Sequence, residues 1–348
     1  MIVDVWPRKR SVARVSLKII PLGLFGFFAC LAFAHSVIAL PLSPSQADDP
    51  LHFLAEMQSS ARELDYAGVI TYTQGSATQS MRLVHMIDGT GERERLELLD
   101  GKPREFLRNN EQVQCLVPER KVVILERKRS DRFPAVLLGH PKQLLDYYSV
   151  SKLDDVKRVA GRECTVYELN PKDELRYGYR LCADTDNALL LQAQTLNANG
   201  DVIQQVSFVS IAYGSQVKAA DLQSTIDFSN WRTIEANMNK VDLSAQGWRI
   251  EYPAGFEVIS QVARSMGTGR KVSQLVLSDG LAAISVFIEP VEDQGARLKE
   301  DKGSRRGSMN LFRTRIGDYW LTTTGEVPLS TLTELGRTAE FVPLARKN

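Results

Sequence analysis

Cysteine and histidine are scarce in this chain, with four of each among 348 residues. No two cysteines form a CxxC pair, which removes the common zinc-ribbon and thioredoxin-type arrangements. The local signatures of familiar catalysts are missing as well. There is no Gly-x-Ser-x-Gly, no His-Glu-x-x-His and no phosphate-cradling Gly-Lys-Ser/Thr, so neither a nucleophile elbow, a zincin helix nor a P-loop is present. Net charge is almost absent, 43 Lys+Arg standing against 42 Asp+Glu. Such a balance gives no whole-molecule field to attract nucleic acid. The basic stretches also lack the interleaved aromatics on which bases stack, and no nucleic-acid partner is expected. Beyond residue 47 no run is apolar enough to cross a bilayer.

What is present begins with a basic patch at Arg8, Lys9, Arg10, Arg14 and Lys18, followed by an uncharged apolar run from Ile19 to Leu42. This is the n-region and h-region of a secretory signal, and residues 1–47 are assigned to it, with cleavage after Ala39 or after Ala47. The competing reading is an uncleaved anchor, because the run is almost long enough to span. Lipoprotein attachment at Cys30 fits poorly, since Phe27 and Phe28 occupy positions that signal gives to aliphatic and small residues. Export places the body in an oxidising compartment, the periplasm, where Cys115, Cys164 and Cys182 remain. Alternating runs on either side of Asn170-Pro-Lys-Asp173 predict a hairpin. Cysteines near its open ends, Cys164 and Cys182, can close a disulfide and leave Cys115 as a buried thiol. A register slipped by one residue would separate the sulfurs.

Hydrophobic residues at 43% and charged residues at 24% describe an ordinary globular body, and its length suggests two domains. Leu51, Leu54, Ala55, Met57, Ala61 and Leu64 recur at helical spacing, predicting a helix from Asp49 to about Asp65. The period then changes to two. Strands are predicted at Val69–Thr73, Ser80–Ile87, Arg95–Leu99, Glu105–Arg108, Gln112–Val117 and Val122–Leu125, as in an antiparallel meander. Phe133 to Ser149 reads as two short helices across the sheet, split by Gly139 and Pro141. After the hairpin, strands at Leu189–Leu196 and Val202–Ala212 flank a turn, closing a first domain of residues 48–213. Residues 214–240 lack periodicity and read as a linker. A second domain, 241–348, is predicted from strands at Trp248–Tyr252, Gln274–Leu277, Ala282–Glu289, Leu311–Ile316 and Tyr319–Glu326. A helix at Leu329–Thr338 follows, capped by Ser330 or Thr331 with Glu334 in its first turn. The fold class is therefore α+β in two domains.

Candidate sites are few. His52, His85 and His140 have no recognisable catalytic setting and read as surface or satisfied structural histidines. Gly267-Thr-Gly269 is too short for a nucleotide loop, and Asp154-Asp155 and Asp173-Glu174 read as solvated turn carboxylates. Neither a cofactor nor a metal is expected, and no enzyme activity. Two basic stretches, residues 126–132 and 302–306, are either solvated loops or grips for an acidic segment or an anionic head group, since arginine takes carboxylate or phosphate in a fork. The apolar group Phe133, Leu137, Leu138, Leu144, Leu145 and Tyr148 is either plain core or the lining of a lipid-sized cavity.

The order of these patterns resembles one family. The chain carries an early Leu64-Asp-Tyr-Ala-Gly-Val-Ile-Thr-Tyr72, then Ala160-Gly-Arg-Glu-Cys164 leading into Leu175-Arg-Tyr-Gly-Tyr-Arg-Leu181, then Asn199-Gly-Asp-Val-Ile203. Trp248, Pro253-Ala-Gly-Phe256, Leu277-Ser-Asp-Gly-Leu281, Ile284-Ser-Val-Phe287 and Gly325-Glu-Val-Pro328 follow. The sequence is similar over nearly its whole exported part to the RseB/MucB family, periplasmic negative regulators of sigma-E. That resemblance implies a first domain like the lipoprotein carriers, an antiparallel half-barrel crossed by helices, and a smaller α+β domain that binds an anti-sigma factor. It implies as partners the periplasmic region of a membrane-spanning anti-sigma factor, shielded from site-1 proteolysis, and lipopolysaccharide or lipoprotein acyl chains that release it. Arg305 and Arg306 are the candidate partner contacts, although the Gly303–Gly307 loop departs from the family pattern, and Asp279-Gly-Leu281 reads as a structural turn. A periplasmic lipid or lipoprotein carrier is the alternative, and self-association into a homo-oligomer is left open.

Overall fold

The computed structural model describes residues 49–126, 133, 141–235, 238–265, 271–291 and 302–343. The expected signal, the basic residues 127–132, His140, Leu137, Leu138 and Gly267-Thr-Gly269 lie outside these residues.

The chain enters through helix α1, Pro50–Glu63, whose start is set by Asp49. The Asp49 carboxylate accepts from the Leu51 amide at 3.0 Å, and Pro50 occupies the first turn, where a missing N–H costs nothing. Strands β1 Tyr66–Gln74, β2 Ala77–Asp88, β3 Gly91–Leu98, β4 Glu105–Asn109, β5 Gln112–Val117 and β6 Val122–Glu126 form the meander. Helix α2, Pro141–Tyr147, is the one helix described between Phe133 and Ser149. Tyr148 and Ser149 already belong to β7, Tyr148–Val159, so the second expected helix is shorter than its apolar residues suggested. The hairpin of β8, Arg162–Pro171, and β9, Gly178–Asp184, follows, then β10 Leu190–Leu196 and β11 Val202–Tyr213.

Residues 214–240 are not a free tether. They carry short 3-10 turns and then β12, Arg232–Glu235, which adds to β6 in parallel. The turn at Ala219–Leu222 packs on β2 and β3, and the Asp221 carbonyl accepts from Arg95 at 3.4 Å. This coverage buries the Arg95–Glu105 pair, whose closest separation is 3.0 Å. Next comes β13, Met238–Lys240, an edge strand of the second sheet.

β14, Trp248–Arg249, is shorter than expected, and β15, Glu257–Ser265, was not anticipated. The remaining elements are β16 Lys271–Ser278, β17 Ala283–Pro290, β18 Lys302–Arg306, β19 Met309–Ile316, β20 Tyr319–Gly325, α3 Leu329–Thr338 and β21 Glu340–Phe341. Helix α3 has the expected bounds but a different cap. Pro328 stands at the N-cap with no side-chain hydrogen bond, and the Thr331 hydroxyl donates to the Leu175 carbonyl at 2.9 Å instead.

The fold is mostly β-sheet with few helices. Twelve strands pair in the order β12-β6-β5-β4-β3-β2-β1-β11-β10-β9-β8-β7, and seven in the order β13-β15-β16-β17-β20-β19-β18. Among the described residues the pairings are antiparallel apart from β12 on β6. Helix α3 buries Leu332 and Leu335 with Leu275, Ile284, Val286, Phe312 and Leu321 of the second sheet. Helix α1 lays Phe53, Leu54 and Met57 with Leu144, Tyr148, Tyr167 and Leu181 of the first, and the Phe53 and Tyr167 rings stack 3.5 Å apart. Burying each such side chain contributes roughly 1.5–3 kcal/mol.

Candidate functional site

Because side chains alternate across a strand, one residue in two from neighbouring strands forms a lateral row. Gln79, Tyr72, Val206, Ala193 and Leu181 are such a row, each opposite the next in the ladder. Leu98, Met81 and Ile70 make a second, and Phe106, Leu96 and Leu83 a third. These rows form one wall of a cavity of about 680 Å³, and Leu281, Ala283, Met309 and Glu326 of the second half of the chain form the other. That volume suits a drug-sized or acyl-sized guest.

The polar groups gather where the two walls meet. Gln204 is nearly buried, and its Oε1 accepts from the Tyr72 hydroxyl at 2.7 Å and from Ser308 Oγ. Its Nε2 donates to Glu326 Oε1 at 3.1 Å. Burial holds the Glu326 carboxyl above the ordinary glutamate value, and the Gln204 bond works against that rise. Tyr179 lines the cavity, and its hydroxyl has no hydrogen-bond partner among the described residues.

A second set of contacts ties the sheets together. Arg176 and Asp279 have fully buried side chains and meet at 2.9 Å. The same Asp279 oxygen accepts from the Tyr148 hydroxyl at 2.9 Å. Its other oxygen accepts from the amides of Leu281 at 3.0 Å and Ala282 at 2.8 Å. Arg176 also donates to both oxygens of Asp173 at 2.9 and 3.0 Å and to the Ala254 carbonyl. The rings of Tyr147 and Phe256 lie against its guanidinium, with centroids at 4.7 and 5.2 Å. Burial opposes the Arg176 charge, but the bonds from Asp173 and the charge of Asp279 outweigh it, and the cation is held more firmly than in water. Burial, reinforced by Tyr179 and Asp279, pushes the Tyr148 hydroxyl well up. Asp279 is therefore a turn residue with a second task, and Asp173, expected in solvent, grips a buried cation. Asn310 adds a bond to the Tyr177 hydroxyl at 2.9 Å.

The expected cavity residues separate. Phe133 lines the cavity. Leu144 and Tyr148 are buried in the core under α1, and Leu145 is half-buried. None of these three lies among the described wall residues. Arg305 is exposed on β18, and its Nε donates to the Gly307 carbonyl at 3.1 Å. Arg306 shares that edge strand. Cys164 and Cys182 are joined by a disulfide with Cα atoms 5.4 Å apart. They sit on a diagonal, since the ladder sets Cys164 opposite Asp184 and Val166 opposite Cys182. Cys115 is half-buried rather than buried. His85 is wholly buried, with its ring nitrogens 2.8 Å from the Leu64 carbonyl and 3.1 Å from Glu92. Among the described residues no group of three or more His, Cys, Asp or Glu is placed to hold a metal.

Comparison with known proteins covers most of the described body. The MucB/RseB N-terminal domain model matches residues 49–226 and the MucB/RseB C-terminal domain model residues 242–340. The sigma factor AlgU regulatory protein MucB of Pseudomonas aeruginosa is 30% identical over 308 residues, covering 86% of this chain and 93% of that protein. The sigma-E factor regulatory protein RseB of Haemophilus influenzae is 24% identical over 328 residues, 93% of this chain and 100% of its own. A crystal structure of MucB in complex with MucA(peri) superposes with a TM-score of 0.67 at 26% identity, over 85% of this chain and 100% of that one. This chain belongs to the MucB/RseB family.

Proposed function

We propose that this protein is a periplasmic negative regulator of an envelope-stress sigma factor, which binds the periplasmic region of a membrane anti-sigma factor and shields it from site-1 proteolysis. The observation that carries the reading is the likeness, over 85% of this chain, to MucB in its complex with MucA(peri). In this reading residues 1–47 export the chain and are removed, and the body acts by occupying a surface rather than by catalysis. The first sheet is a half-barrel of the lipoprotein-carrier type, and the second, smaller domain with Arg305 and Arg306 meets the partner's carboxylates. An extended partner segment that orders on binding loses entropy, which keeps the complex reversible. An acyl chain in the cavity, from lipopolysaccharide or a lipoprotein, then favours a different arrangement of the two sheets and competes by differential affinity alone.

The test is a cleavage assay with the purified protein, its cognate anti-sigma periplasmic region and the site-1 protease. Cleavage slows in proportion to the bound fraction if the reading is right, and an unchanged rate at saturating protein rejects it. The cavity of about 680 Å³ favours one second reading, a lipid or lipoprotein carrier. Native mass spectrometry after mild extraction separates them: stoichiometric lipid without anti-sigma factor marks a carrier.

A further inference from the structure

His85, on β2, is wholly buried. Alternation across the first sheet sets it in a lateral row, Tyr66, His85, Glu94 and Arg108, one residue from each of β1 to β4. The row belongs to the cavity side of the sheet, since Glu94 lines that cavity. The Tyr66 ring stacks on the imidazole with centroids 4.6 Å apart, so hydrogen bonding falls to the two ring nitrogens.

Both nitrogens meet acceptors. Nδ1 is 2.8 Å from the carbonyl of Leu64, the C-cap of helix α1, and a carbonyl can only accept. Nδ1 therefore carries the single proton of a neutral ring. Nε2 is 3.1 Å from Glu92 Oε1, the oxygen that Arg108 also grips in an ion pair that needs the carboxylate. In the neutral ring Nε2 is a lone pair, and two acceptors face each other. A second ring proton turns that contact into a charge-assisted hydrogen bond.

Charge and burial pull on that proton in opposite directions. The groups facing the ring are Asp65 at the exit of α1, Tyr66 on β1, Glu92 and Glu94 on β3, and Arg108 on β4. Three carboxylates against one guanidinium favour a cation, and burial opposes it. Burial is the larger effect and holds His85 below the ordinary 6.5, so the ring is neutral at pH 7 and gains its proton in acid.

We propose that His85 is an acid-operated switch in the first half of the chain, that Glu92 is the group which brings proton uptake within the range where the fold is intact, and that the added charge appears beside the cavity-lining Glu94. The unfolded chain binds this proton more tightly than the folded one. The stability due to neutral burial is therefore complete above 6.5 and is lost as pH falls through the folded value. The loss is felt at the corner where α1 meets the sheet, which Leu64 joins to His85 and where Asp65 accepts from the Ile87 amide at 2.8 Å.

Nitrogen NMR of the imidazole rings in the purified protein, titrated from mildly alkaline to acidic pH, tests the proposal, with His85→Asn identifying the signals. At neutral pH the His85 proton is expected on Nδ1, and Nε2 takes the second below 6.5 while the rest of the spectrum stays native. Glu92→Gln removes the carboxylate that receives the new N–H and lowers proton affinity by about tenfold or more, one pH unit. A midpoint at or above 6.5, a neutral ring protonated on Nε2, a midpoint that Glu92→Gln leaves in place, or a ring that stays neutral until the chain unfolds overturns the proposal. Melting temperatures over the same range keep the test open if Glu92→Gln does not fold. Relative to His85→Asn, whose amide can replace the donor to Leu64, the parent loses stability as pH falls below 6.5, and a difference constant with pH overturns the proposal as well.

Discussion

Replacing Asp279 by alanine removes one side chain and disturbs both sheets. The substitution leaves the Arg176 guanidinium without its fully buried carboxylate partner, takes the acceptor from the Tyr148 hydroxyl, and uncaps the Leu281 and Ala282 amides. Removing one partner of a buried ion pair costs about 3–5 kcal/mol. Asp173 keeps its grip on Arg176, which tempers the loss, while each orphaned amide adds roughly 1 kcal/mol. We expect a total of about 4 kcal/mol in urea unfolding. In a chain of this size that lowers the melting temperature by about 8 °C if the sheets unfold together. Because Tyr148 and Arg176 belong to the first sheet's half and Asp279 to the second, separation of one thermal transition into two is an equally direct sign. Asp279→Asn retains the amide caps and should lose less. Arg176→Met with Asp279→Ala should lose less than the sum, with a coupling of about 2 kcal/mol or more. A loss under about 1 kcal/mol for Asp279→Ala, in a single unaltered transition, would refute the claim that this pair fastens the sheets.

The remaining expectations concern single groups. Removing the buried Cys164–Cys182 bridge with paired alanines frees a loop of sequence separation 18 and should cost about 3 kcal/mol. An unchanged urea midpoint would contradict it. Gly255 has φ +82°, and a Cβ there would sit 2.7 Å from the Tyr147 ring, so Gly255→Ala should push that ring off Arg176 and lower the melting temperature by several degrees. Glu326 is held above the ordinary 4.5 by burial. The folded chain thus binds this proton more tightly than the unfolded one, and the stability it contributes, complete below 4.5, is lost as pH rises through the folded value. Glu326→Gln should gain stability over the parent as pH climbs from that point. Melting curves of both proteins in acidic and mildly alkaline buffer check it, and a constant difference would reject the assignment.

Much of the scaffold could be read from periodicity, because strands such as β17 and β20 bury one residue in two and α3 buries one face. Gln112–Val117 and Leu329–Thr338 have the expected bounds. β12 and β18 were not legible as strands, since their residues are exposed or charged and nothing in their pattern separates a strand from a polar loop. The Arg176–Asp279 pair was hidden for another reason. Arg176 follows a polar turn and its partner is 103 residues away. Burial there comes from docking of the second sheet, which no local pattern records. Glu326 and Gln204 are of the same kind, being separated by 122 residues. The one available signal was that Arg176, Asp279 and Glu326 all fall inside the stretches that carry the family resemblance. The apolar cluster around α2 was open to two readings, core or cavity lining, and Leu144 and Tyr148 take the core one, leaving the cavity wall to residues of the strands.

The parallel strand β12 has a bearing on how the first half could be handled alone. A fragment ending at Tyr213, where the polar stretch begins, would strip the cover from β6 and from the Arg95–Glu105 pair. It would present Val122–Glu126 as a raw hydrogen-bonding border. Such borders recruit other chains. Truncations meant to isolate the sensor half should therefore keep residues through Glu235 to stay monodisperse.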